Sequence, residues 1–311
     1  MKQADYKRVL ILGFGRMGVS HALQIAGILR SRSLGCELFV LDPSFFSRMA
    51  ARFLVRKLKI SFIDFSDLAR FPDAFFDVAV DASPPFDRSR NIAILANKSK
   101  YYLIEKPVLS LLSNAGMSGY VLQHAPLVAQ LREELTEPLA RVSCHLDTNL
   151  RFSGVKSWRS SSQVGGVCRE FLGHVLSVPL SCLPHLQNFD DLLVAVEGDR
   201  IIIKVDISSV RFEISLAEGQ KVRKTAYSWQ FEWPDNCVIY DGYQIKRVKE
   251  AESLVLGDMP SSGSNCDYYL RGFDFCRQAA ALLDGHGEFI SPQQHALIDE
   301  LTMRVVGKVQ S

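Results

Sequence analysis

The sequence predicts an α/β fold in two parts, a doubly wound parallel sheet followed by an α+β domain built on a mostly antiparallel sheet. Three observations predict it. Short continuous apolar runs alternate with helical spacings in the first part of the chain. A glycine-rich turn follows the first of those runs, and from Pro138 onward the runs become apolar/polar alternations. At 311 residues the chain is long for a single core, so two domains are expected, 1–124 and 125–311. A net charge of +2 and a pI near 8.1 give no strong field for a nucleic acid or an anionic membrane, and point to a small-molecule partner. Seven cysteines without a Cys-x-x-Cys pair, an odd number, suit reduced thiols in a cytoplasmic protein. The apolar run after the charged residues Met1 to Arg8 is four residues long, short for a signal-peptide core, and no run approaches the ~18 residues of a membrane span.

Val9-Leu10-Ile11-Leu12 reads as a strand buried on both faces, stopped by Gly13. In Gly13-Phe14-Gly15-Arg16-Met17-Gly18 the first glycine permits a tight turn, the second lets backbone approach a pyrophosphate, and the third lets the next helix pack against the strand. This is a Rossmann-type dinucleotide turn, and Gly13, Phe14, Gly15, Arg16 and Met17 are its expected cofactor-binding residues. The helix runs from Met17 to about Leu29, with Ala22, Ile25, Ala26 and Leu29 on one face. A second strand, Glu37 to Leu41, ends in Asp42, 24 residues after Gly18. An acid there accepts hydrogen bonds from the adenosine ribose and repels a 2′-phosphate, so NAD is the expected cofactor and NADP the alternative. Arg48, Arg52 and Arg56 recur every four residues and read as a solvated helix face, with Met49, Phe53 and Leu54 turned inward.

Phe76 to Ser83 reads as another buried strand, ended by Pro84-Pro85, which places Ser83 and Pro84 beside the cofactor. Asn91 to Ala96 is helical, and Lys100 to Ile104 is the next strand. That strand delivers Glu105-Lys106-Pro107 to the same sheet edge. Proline after the lysine biases Lys106 towards extended backbone. A lysine there can bond the nicotinamide ribose and a substrate hydroxyl together, with Glu105 at the cofactor side. Only Val108 to Gly119 separates Pro107 from the next expected strand, Tyr120 to Leu122.

With these motifs placed, the chain resembles the Gfo/Idh/MocA family of nicotinamide-dependent oxidoreductases, named for glucose-fructose oxidoreductase and inositol dehydrogenase. The resemblance covers most of the chain. It implies an N-terminal Rossmann domain, a catalytic Lys106 in its Glu-Lys-Pro motif, and a second signature of two glycines, an acid and, four residues later, a histidine. Gly165-Gly166-Val167-Cys168-Arg169-Glu170-Phe171-Leu172-Gly173-His174 looks like that signature, and Trp158-Arg159 resembles the aromatic-basic pair before it. Glu170 and His174, four residues apart, share a helix face; a carboxylate orienting a histidine suits acid/base work near neutral pH. Two departures stand out: glutamate replaces the usual aspartate at 170, and the connection after Pro107 is short.

In the second part, Arg141 to Leu146, Arg200 to Ile207, Val210 to Leu216 and Lys221 to Trp229 read as strands, with turns at Gly198-Asp199 and Glu218-Gly219. The resemblance makes this sheet an oligomer interface; a monomer with a polar outer face is the other reading. Pro260 to Ser264 reads as a loop over the site, and Tyr268, Tyr269 and Arg271 open the following helix. His185, His286 and His295 have no metal-like spacing, and no metal is expected. The function implied is hydride transfer between NAD(P) and a hydroxyl-bearing carbon, or its carbonyl, of a sugar, sugar derivative or cyclitol. Reduction of an imine or conjugated heterocycle, and a non-catalytic NAD(P)-sensing role, are the alternatives.

Overall fold

The computed structural model describes residues 6–54, 58–108, 116–135, 138–148, 166–218, 225–250, 252–259, 266–286 and 290–310. The chain forms two units, Met1–Val121 with Gly272–Glu288, and Leu122–Arg271 with Phe289–Ser311.

In the first unit the order is β1 (Tyr6–Leu12), α1 (Arg16–Ser31), β2 (Gly35–Leu41), α2 (Phe45–Leu54), β3 (Lys59–Phe62), α3 (Phe65–Leu68), β4 (Phe76–Asp81), α4 (Arg88–Lys98), β5 (Ser99–Ile104) and β6 (Gly116–Ser118). All six strands are parallel, in the order β3-β2-β1-β4-β5-β6, so the chain reverses its winding at β1/β4. Crevices at such a switch point, outside the carboxyl ends of the strands, are where open α/β sheets bind ligands. The sheet is buried on both faces: Val9, Leu10, Ile11, Val78, Ala79 and Val80 are all essentially inaccessible. α1 lays Ala22, Ile25 and Leu29 on it, each large side chain contributing about 1.5–3 kcal/mol of burial.

Two expectations are corrected, and a third lies partly outside the described residues. The strand expected at Tyr120 to Leu122 lies earlier, at Gly116–Ser118, and a 3₁₀ turn occupies Val121–His124. The reason is close approach: a Cβ on Gly116 would stand 2.8 Å from the Tyr102 ring, so the glycine that looked like a breaker lets β6 pair with β5. On α2 Arg52 is exposed, as expected, while the other described residues depart from their expected faces. Arg48 is half-buried and donates to the Asp42 carbonyl at 2.6 Å, Arg52 lies over the Phe62 ring, and Met49, Phe53, Phe45 and Phe46 are exposed. Arg56, and the side chain of Leu54, lie outside the described residues. The strand expected from Lys221 is described as Ala226–Glu232, residues 219–224 being outside the description.

The second unit holds α5 (Pro126–Glu134), β7 (Arg141–Thr148), α6 (Val167–Cys182) and β8 (Phe189–Glu197). There follow β9 (Arg200–Ile207), β10 (Val210–Glu218), β11 (Ala226–Glu232), β12 (Asn236–Tyr240), β13 (Gln244–Lys249) and β14 (Glu252–Asp258). The chain ends with α7 (Cys266–Asp284), whose length from Gly272 belongs to the first unit, and α8 (Pro292–Gln310). The eight strands are ordered β14-β13-β12-β11-β7-β10-β9-β8, antiparallel except for β7 beside β10. One face is apolar, with Val142, Cys144, Ile203, Phe212, Ile214 and Phe231 buried. α6 packs on it, against β7 and β10. The other face is charged: Arg141 meets Glu213 at 2.6 Å, Arg211 meets Asp206 at 3.0 Å and Arg200 meets Asp147 at 3.4 Å. Among the described residues no helix is long and apolar enough to cross a membrane.

Candidate active site

In the first unit the glycine turn closes against the ends of two other strands. Gly13 takes φ +77°, and a Cβ there would stand 2.8 Å from the Ser83 nitrogen. A Cβ on Gly18 would stand 2.0 Å from the Gly13 carbonyl oxygen, so α1 lies on the turn with no room for a side chain. Gly15 has nothing within 4 Å of the same position. It opens α1 without a side-chain cap, and the first turn carries no acid. The uncapped N–H groups, the helix dipole and the open space at Gly15 together suit a pyrophosphate.

Phe14 buries its ring in the core, while its backbone N–H donates to Asp42 Oδ2 at 2.6 Å. Ser44 N–H donates to Asp42 Oδ1 at 2.7 Å, so the carboxylate braces the turn from the end of β2. Each carboxylate oxygen retains a further lone pair, which fits ribose hydroxyls. Arg16 is exposed and Met17 half-buried beside Gly15. The residues of this edge therefore fit a dinucleotide.

Ser83 and Pro84 follow β4. Buried Asp81 fixes Ser83 through its N–H at 2.9 Å and its hydroxyl at 2.5 Å, and Asn91 of α4 donates to Asp81 at 2.9 Å. Pro84 is half-buried and leads into a short 3₁₀ turn. On the neighbouring strand, Glu105 N–H continues the ladder to the Asp81 carbonyl at 2.9 Å. The Glu105-Lys106-Pro107 segment thus lies at the same sheet edge as Ser83 and the glycine turn.

Lys106 is half-buried and joined to Pro107 by a cis peptide bond. Its backbone N–H donates to its neighbour's carboxylate, Glu105 Oε2, at 3.2 Å. Arg88, buried at the start of α4, donates to the carbonyls of Pro107 and Ser83, the latter at 3.0 Å. Glu105 is itself buried, with His21 Nε2 2.7 Å from its Oε1. Burial alone would raise its carboxyl; the His21 hydrogen bond and charge, with Lys106 and Arg88, hold it below the ordinary value instead. Gly119 closes the arrangement, since a Cβ there would stand 2.8 Å from Glu105 Cα.

Glu170 and His174 belong to α6 of the second unit, both buried, at 5% and 6% exposure. Gly166, at φ +94°, is the helix N-cap, and Glu170 N–H bonds its carbonyl at 3.1 Å. Proline at 179 supplies no N–H for the Val175 carbonyl one turn earlier. The indole N–H of Trp229 on β11 donates to that carbonyl at 2.8 Å, so the sheet repairs the helix that carries the pair. Cys168, one turn before Phe171 and Leu172, is no nucleophile here: burial pushes its thiol up to about 12.

Sequence reasoning missed His21, Asp81, Arg88 and Trp229. A signal existed only for His21, a histidine three residues after Gly18 in the apolar stripe of α1. Trp158, Arg159, Gly165 and the 260–264 loop lie outside the described residues, as do the side chains of Tyr268, Tyr269 and Arg271. Among the described residues no group of three or more His, Cys, Asp or Glu could hold a metal ion.

No family model and no curated protein sequence matches the chain. Solved structures do. A levoglucosan dehydrogenase in complex with NADH and levoglucosan aligns at a TM-score of 0.72 and 13% identity, over 98% of each chain. A UDP-N-acetylglucosamine 3-dehydrogenase from Acidithiobacillus ferrooxidans aligns at 0.67 and 15% identity, over 96% of each. A dehydrogenase from Chromobacterium violaceum aligns at 0.68 and 14%, over 98% of this chain and 94% of that one. The chain therefore shares the fold of these dehydrogenases, the two-part α/β fold that its motifs implied.

Proposed function

We propose that the protein is an NAD-dependent oxidoreductase acting on a hydroxyl-bearing carbon, or its carbonyl, of a sugar, sugar derivative or cyclitol. The observation that carries this reading is Lys106, clamped at the parallel-sheet edge that also carries an open glycine turn and, at the end of β2, the Asp42 carboxylate. The sugar dehydrogenases that share the fold support the substrate class, and their NADH complexes support the cofactor. Asp42 favours NAD over NADP, because its charge opposes a 2′-phosphate.

In this reading Asp42 accepts from the adenosine ribose, the N–H groups around Gly15 hold the pyrophosphate, and Ser83, Pro84 and Glu105 border the nicotinamide half. Bound nicotinamide supplies a hydride acceptor at C4. Lys106 holds the substrate oxygen and the nicotinamide ribose. His174 takes the hydroxyl proton as the C–H electron pair leaves as hydride and the C–O bond becomes a carbonyl; in the reverse direction it returns that proton. Glu170 orients His174. The protein contributes position and proton transfer.

We also infer a cytoplasmic homo-oligomer joined through the C-terminal sheet, with no nucleic-acid partner. Free cysteines, four of the described six being buried, support a reducing compartment, and the near-zero net charge supports a small-molecule partner. Light scattering of the purified protein checks the oligomer.

The test is turnover. The protein with NAD⁺ is offered monosaccharides, anhydrosugars, UDP-sugars and cyclitols while absorbance at 340 nm is followed, and at least one is expected to be oxidised. Tight NADH binding without turnover of any sugar or imine would contradict the reading in favour of a sensor.

A further inference from the structure

His21 makes no contact expected of a substrate group, yet it is among the most buried polar residues of the first unit. Its side chain is 2% exposed, on the face of α1 that also carries Gly18, Ala22 and Ile25. Its ring stands edge-on to Phe275 of α7, with centroids 6.0 Å apart. Its Nε2 lies 2.7 Å from Glu105 Oε1. A buried carboxylate is costly unless hydrogen-bonded, and His21 supplies such a bond.

The other Glu105 oxygen receives the Lys106 backbone N–H, and Gly119 packs against the Glu105 backbone. Glu105 is therefore held by α1, by the turn after β6 and by the backbone of the residue that follows it. The charges acting on it are His21 from α1, Arg88 from α4 and Lys106 itself. The Lys106 charge acts on this carboxylate, so the carboxylate acts equally on Lys106.

The geometry points to His21 as a positioning residue for Lys106: by donating to Glu105 it keeps a carboxylate, held in one orientation, beside the lysine. This rests on the reading of Lys106 as the reactive lysine. A purely architectural contact between α1 and β5 would hold the same two elements together but leave the reactivity of the Lys106 amine unchanged when broken.

The test reads that amine and needs no substrate. The intact protein, as wild type, His21→Leu, His21→Gln and Glu105→Gln, is acylated with a water-soluble amine reagent at pH 8, and labelling of Lys106 is followed by peptide mass spectrometry. Exposed Lys59 serves as the internal reference. Without its donor the carboxylate is no longer held in one orientation, its pull on the Lys106 ammonium weakens, and more of the amine is uncharged. Labelling of Lys106 in His21→Leu is expected to be about fivefold faster than in wild type. Glu105→Gln should behave alike, and His21→Gln, which keeps an N–H donor, should stay within about twofold of wild type. A folded His21→Leu that labels at the wild-type rate would overturn the inference. If that variant does not fold, Glu105→Gln decides by the same criterion. Because labelling requires no turnover, a protein that oxidises no sugar but shows this pattern would defeat the proposed reaction and leave the role of His21 standing.

Discussion

Among the described residues two glutamates are buried and have histidine companions, and the two couples are built in different ways. Glu170 and His174 lie one turn apart on α6, so a single helix delivers both. Glu105 meets His21 across 84 residues, with the parallel sheet and α1 bringing them to 2.7 Å. Spacing alone can display the first couple to a substrate. Only tertiary packing can make the second, and that packing also fixes the charge on Glu105. A helix presents groups; contacts between distant elements set their ionisation and hold them still.

The tertiary couple depends on how closely α1 approaches the strand ends, and this gives the largest expected effect. Gly18→Ala forces a methyl 2.0 Å from the Gly13 carbonyl oxygen and should cost about 3 kcal/mol in urea unfolding. Gly15→Ala meets nothing within 4 Å and should cost less than about 1 kcal/mol, while weakening NADH binding at least tenfold by fluorescence titration. Equal losses of stability in the two variants would break the argument from close approach.

The helical couple depends instead on α6 staying intact through Pro179. Trp229→Phe leaves the Val175 carbonyl without its indole donor, at an expected cost of about 2 kcal/mol. That cost should shrink in a Pro179→Ala background, where a backbone N–H returns. A double-mutant cycle by thermal unfolding measures the difference.

A smaller effect separates buried carboxyls by sign. Glu105 sits below its ordinary 4.5, so its contribution is fully present above that pH and is lost as pH falls towards its folded value. Asp299 on α8, which burial pushes up to about 7 against the opposing pull of His295, behaves oppositely. Its contribution is present below 3.8 and lost as pH rises through 7. Asp299→Asn should therefore stabilise the protein by about 1–2 kcal/mol at pH 8 and leave it unchanged at pH 3.5, as melting curves at the two pH values will show.

Much of the first unit was legible because its turns admit few residues. Gly13 needs positive φ, Gly18 has no room for a Cβ, and each buried strand is an unbroken apolar run. β6 was misplaced because Gly116 is read as a breaker until Tyr102 is seen packed against it. The half-burial of Arg48 on α2 escaped because the pull of the Asp42 and Pro43 carbonyls on it has no period. In the second unit β9 and β10 showed clear alternation, whereas the edge strands β8 and β14 are largely exposed and carry register shifts in their pairings, so no period marks them. Motifs point to Lys106, Glu170 and His174 as candidates, whereas nothing in the sequence points to the partners of His21 and Arg88, because these are set by the fold.

The most direct measurement is turnover of Lys106→Ala and His174→Ala with NAD⁺ and a sugar that the wild type oxidises, alongside NADH affinity. The account predicts that kcat falls about 100-fold or more in each, while NADH affinity changes by less than about tenfold. Turnover at the wild-type rate in either variant would contradict it.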